Sequence, residues 1–143
     1  MAIVYVGIDL AKSVFAVRGV NEAGRPEMLR PSVPRAKLLE LIASLPPCVV
    51  GMEACTGAHH WARQFMAHGH TVRLMAPKFV APYRLSGRRG KNDAADAAAI
   101  CEAVQRPNMR FVAGVNYLGR RVASRRNVTR RVVVVPSPFL NLQ

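Results

Sequence analysis

The chain has 143 residues, half of them hydrophobic, which suits one domain with a real core and leaves no room for two full ones. No apolar run approaches the roughly 20 residues that span a bilayer, and the N-terminus lacks the basic-then-apolar layout of a secretory signal, so a cytoplasmic protein with no membrane partner is expected. A net charge of +13 and a pI near 11.2 favour polyanions, either nucleic acid or an anionic surface.

Ile3 to Leu10 is short, β-branched and almost uninterrupted, which predicts a buried strand ending in an acid, Asp9. Ser13 to Val20 predicts a second strand, Asn21-Glu22-Ala23-Gly24 a turn, and Pro26 to Arg30 a short third strand. Links this short imply an antiparallel meander. Pro34 opens a helix with Leu38, Leu39, Leu41, Ile42 and Leu45 at helical spacing, and Pro46-Pro47 stops it. Cys48 to Glu53 is a fourth strand, Ala58 to His68 a helix with Trp61, Phe65 and Met66 on its apolar side, and Thr71 to Met75 a fifth strand. Ala76-Pro77 then begins an irregular basic stretch, and an alanine-rich helix runs from Asp93 to about Gln105. This order is α/β: a mixed five-stranded sheet with flanking helices, its first, fourth and fifth strands parallel.

Four carboxylates stand out in that frame. Asp9 and Glu53 end two strands that such a sheet places side by side, and each follows a glycine by two positions, Gly7 and Gly51. The glycines share the acids' faces and leave a slot through which a helix, a metal or a phosphate backbone can approach. Asp93 and Asp96, three apart, share one face of the alanine-rich helix. Asn92 is a good N-cap, so the pair also suits a helix dipole, and Asp9 and Glu53 also suit ion pairs with Lys12 or an arginine. Gathered together, the four repel one another, and Mg²⁺ or Mn²⁺ offsets that with hard-oxygen coordination. Two such ions would clamp a phosphodiester. Three cysteines, an odd number without Cys-x-x-Cys, argue against structural zinc.

Gly7-Ile8-Asp9-Leu10-Ala11-Lys12, Gly51-Met52-Glu53-Ala54-Cys55-Thr56-Gly57 and Lys91-Asn92-Asp93-Ala94-Ala95-Asp96-Ala97 resemble the N-terminal domain of DEDD transposases. These belong to the IS-one-hundred-and-ten family of bacterial insertion sequences, relatives of the Piv invertase. The resemblance covers roughly Ile3 to Val112. It implies a ribonuclease H-like (RuvC-like) fold with Asp9, Glu53, Asp93 and Asp96 as a catalytic, Mg²⁺-binding tetrad. It also implies recombination of double-stranded DNA, a structured guide RNA as a partner, and a homo-oligomer in full-length members. Such members continue into a long helical segment and a second domain with a DNA-attacking serine. Here the chain turns to arginine pairs instead, which reads as a truncated member, inactive alone, whose tail resembles a shifted frame.

Lys12, Lys78, Arg84, Arg88, Arg89 and Lys91 are the candidate nucleic-acid-binding cations, most of them directly ahead of the acidic helix. Residues 1–112 are expected to form the domain. From 113 to 143 the chain has six arginines and no acid, which predicts a basic, disordered tail. Two alternatives come from other classes. One is an ATP-binding protein of the sugar-kinase and actin superfold, whose first strand also carries Gly-Ile-Asp; the other is a non-catalytic nucleic-acid-binding remnant.

Overall fold

The computed structural model describes residues 2–11, 13–84 and 93–113, the side chains of Asp93 and Ala94 excepted. The expected meander is present: β1 (Tyr5–Asp9) pairs antiparallel with β2 (Val14–Val20), and β2 with β3 (Pro26–Pro34). Asn21 shapes the β2–β3 turn, accepting hydrogen bonds from the backbone N–H groups of Ala23 (2.9 Å) and Arg25 (3.1 Å) while its amide donates to Glu27 (2.9 Å). β3 runs four residues past Arg30, through Pro31 to Pro34, and its register against β2 is interrupted by irregularities. It is an edge strand, where a missing N–H costs the ladder nothing.

α1 (Arg35–Ala43) crosses to β4 (Val49–Glu53), and α2 (Ala58–Ala67) crosses to β5 (Thr71–Met75). β4 lies parallel to both β1 and β5, so the sheet order is β3-β2-β1-β4-β5 with β1 central. This is the mixed five-stranded α/β sheet with flanking helices that the order of elements implied. The stretch expected to be irregular after Ala76 instead forms a short helix, α3 (Pro77–Val80), and a 3-10 turn over Ala81–Tyr83. Pro77 begins that helix because the first helical N–H needs no partner. α4 (Asp93–Val104) follows.

The sheet separates two cores. On one face Val6, Ile8, Val50, Met52 and Leu74 pack against Leu38, Ile42, Trp61 and Phe65 of α1 and α2. On the other, Met75 and Val80 pack with Ala99, Ile100, Ala103 and Val104 of α4. Each large side chain buried this way contributes about 1.5–3 kcal/mol. Past α4 the chain returns to the β5 edge, where Phe111 bridges Met75 and the Val112 N–H donates to the Leu74 carbonyl (2.8 Å). Among the described residues no helix is long and apolar enough to cross a membrane.

His70 links α1, β4 and β5 inside the first core. The Cys48 N–H donates to its Nδ1 (3.2 Å), so Nε2 carries the proton and donates to the Ile42 carbonyl (2.8 Å). Burial holds the ring below the ordinary histidine pKa, with the Ile42 hydrogen bond opposing it and nearby His68 adding to the depression. The unfolded chain therefore binds the proton that the folded one refuses. Stability should be unaffected by this group above about pH 6.5 and should decline as pH falls below it. Thermal melts at pH 7.5 and 5.5 check this: the wild type should lose stability on acidification more steeply than His70→Gln.

Candidate active site

In the parallel register Gly7 faces Gly51 and Ile8 faces Met52. Asp9 and Glu53 take the next step, at the carboxyl ends of adjacent parallel strands, where open α/β sheets place ligands. The glycines set what lies above them. A Cβ on Gly7 would stand 2.4 Å from the Cys101 backbone nitrogen and 2.6 Å from the Ala97 carbonyl oxygen; one on Gly51 would stand 2.8 Å from Val104 Cβ. The slot beside the acids is thus filled by α4, seated directly on β1 and β4. Buried alanines at 97, 99 and 103 keep the helix surface thin enough for this approach.

That seating brings Asp96 to the strand ends, only 8% exposed. Arg84 joins it to Glu53. Its Nε donates to Asp96 Oδ1 (2.9 Å) and its Nη2 to Glu53 Oε2 (2.7 Å). Burial alone would depress the guanidinium, but the hydrogen bonds and charges of Glu53 and Asp96 hold it above the ordinary arginine value. Cys55 lies beside the same acids. Burial raises its thiol, a hydrogen bond with the Ala58 backbone opposes this, and the charges of Glu53 and then Asp9 add to the rise. One thiol thus feels both strand-end carboxylates. The other two thiols, Cys48 and Cys101, are buried and pushed up to about 12, chiefly by desolvation.

Asp93 begins α4, one turn ahead of Asp96; its side chain lies outside the described residues. Among the described residues no three carboxyl, imidazole or thiol groups are arranged to enclose a metal ion. Arg84 provides the compensating charge in their place. The donors gathered here are nonetheless all carboxylate oxygens, the set a hard divalent cation takes. Of the expected phosphate-binding cations, Arg84 is engaged by the acids instead, and Lys78 is exposed on α3 with its ammonium 5.2 Å from the Phe79 ring centre. Lys12, Arg88, Arg89 and Lys91 lie outside the described residues, as does the tail from residue 114. No pattern in the sequence pairs Arg84 with Glu53 or Asp96, because the partners come from separate elements.

A family model described as Transposase, of the DEDD type of IS110 elements, matches residues 6–129. The chain belongs to this DEDD transposase family. The match extends past Val112 to residue 129. Family membership also sets aside the sugar-kinase and actin alternative. The "Probable family 20 transposase" of Pseudomonas aeruginosa is 45% identical over 136 residues, covering 95% of this chain and 39% of the relative. The transposase for insertion sequence element IS1328 of Yersinia enterocolitica is 45% identical over 107 residues, covering 75% of this chain and 31% of the relative. The chain spans between 27% and 39% of the length of the curated relatives it matches. Among solved structures, T. thermophilus RuvC in complex with a Holliday junction substrate is similar at 15% identity and a TM-score of 0.40, over 69% of this chain and 90% of that one.

Proposed function

We propose that this chain carries the carboxylate centre of a DNA transposase, with Asp9, Glu53, Asp93 and Asp96 holding Mg²⁺ or Mn²⁺ for phosphoryl transfer on DNA. The observation that carries the reading is the meeting of Glu53 and Asp96 on one cation, Arg84, at the strand end that also bears Asp9. A place where the fold gathers acids and already seats a positive charge is a place built for cations. Bound there, a divalent ion would supply charge neutralisation at the phosphate and activation of the attacking oxygen.

The chain's own residues have distinct tasks in this reading. Asp9 and Glu53 sit on rigid strands and fix the centre's position; Asp96 and Asp93 close it from the helix. Arg84 neutralises the acids when no metal is bound, and withdraws toward the DNA phosphate when one is. Lys78 and the cations at 88, 89 and 91 attract the duplex, with a structured RNA as a further partner. The attacking hydroxyl gives up its proton as its oxygen bonds to phosphorus, the bond from phosphorus to the sugar oxygen breaks, and that oxygen takes up a proton. The serine that the resemblance implies as nucleophile would come from a separate domain, so these 143 residues alone should bind DNA and metal without joining strands.

Thermal shift tests the metal arm. Mn²⁺ or Mg²⁺ at about a hundred times its dissociation constant should stabilise the native state by about 2.7 kcal/mol. Glu53→Gln should remove most of that shift. An equal shift in wild type and variant would place the metal elsewhere.

A further inference from the structure

Beyond the carboxylate centre lies a cleft of about 370 Å³ between α3, the 3-10 turn and the segment that follows α4. Its lining includes three cations, Lys78, Arg106 and Arg110, and two aromatic rings, Phe79 and Tyr83, and no acid. Tyr83 packs one side against the second core, and its chain neighbour Arg84 holds the acids, so one wall of the cleft adjoins the residue that bridges them. Its other end is set by Arg106, just past α4; Val104 lies about 12 Å along the helix axis from Asp96 at 1.5 Å per residue. Arg106 is incompletely satisfied. Its Nη2 reaches Glu102 at 3.3 Å, a largely exposed pair, while its buried Nε–H has no acceptor among the described residues. A buried donor left this way is costly, and a phosphate oxygen in the cleft would relieve it.

Clustered cations bind backbone phosphates, and aromatic faces bind bases only once these are unstacked. A base-paired duplex offers the phosphates but not the base faces. We propose that this cleft is a subsite for an unpaired nucleotide of the nucleic-acid strand, with phosphate on Lys78, Arg106 and Arg110 and the base against Tyr83 and Phe79. The inference rests on the reading that the acids' face works on DNA. It adds that a strand flanking the reacting phosphate is held single-stranded.

The test compares two fluorescent probes by anisotropy: a blunt duplex and the same duplex with a four-nucleotide overhang. Arg110→Gln combined with Lys78→Gln changes exposed side chains only. It should weaken overhang binding roughly tenfold and lower its log–log salt slope by about 1.4, two single-strand phosphate contacts at 0.7 each. Tyr83→Leu should weaken the overhang probe and leave its salt slope unchanged. Blunt-duplex affinity should fall by less than overhang affinity in the double variant, because Lys78 also attracts the duplex, and the Mn²⁺ melting shift should stay at its wild-type value. Equal losses on both probes, or none on either, would overturn the subsite. Failure of the underlying reading looks different: the wild type would then bind neither probe and show no Mn²⁺ shift.

Discussion

Gly7→Ala should lower the melting temperature by about 10 °C. The added methyl would meet backbone atoms of α4, at 2.4 Å from the Cys101 nitrogen and 2.6 Å from the Ala97 oxygen, and a helix backbone cannot rotate aside as a side chain can. Overpacking a tight core costs about 1–3 kcal/mol, and contact with backbone on two residues places this change at the upper end. At about 2–4 °C per kcal/mol for a chain of this size, the melting shift follows. Gly51→Ala should cost less, because the nearest atoms belong to the Val104 side chain on the last residue of α4. The Gly7 change also lifts Asp96 away from Glu53, so residual folded protein should respond to Mn²⁺ more weakly than wild type. A Gly7→Ala protein that melts with wild type would show that α4 is not seated on β1.

Arg84→Gln should separate the two charge states of the centre. Without metal, the change leaves Glu53 and the buried Asp96 without their shared cation. Arg84 is about one-third exposed, with its side chain at 31%, so water screens part of the effect and the expected loss is about 1–2 kcal/mol. With metal the sign reverses. The guanidinium and a divalent ion compete for the same oxygens, so removing one should tighten binding of the other several-fold. Calorimetric titration with Mn²⁺ reads this directly. Weaker Mn²⁺ binding in the variant would mean that Arg84 supports the metal-bound form instead of opposing it.

Much of this architecture is legible in the residues because it rests on periodicity. Alternation in the first and fourth strands puts each glycine and the following acid on one face, and the parallel register then aligns Gly7 with Gly51. The run of alanines in α4 announces a helix that can lie close to something, and the paired glycines say what. β3 is read too short because Pro31 and Pro34 look like stops, although an edge strand tolerates them. α3 is missed because Pro77 looks like a breaker when it stands at a helix start. The acid–arginine bridge is illegible for another reason. A basic run in sequence says only that charge is present, while the partner of each cation depends on where α4 and β4 end in space. Arg106 and Arg110 pass unnoticed in the same way, since their cleft joins α3 to a segment about thirty residues later.

The most direct test of the carboxylate centre is a crystal grown in Mn²⁺ and read by anomalous scattering. One or two peaks should lie among Asp9, Glu53, Asp93 and Asp96, with carboxylate oxygens at about 2.1 Å, and Arg84 should have left both Glu53 and Asp96. Arg84 still bridging the two acids at saturating Mn²⁺, with the metal absent or bound elsewhere, would contradict it.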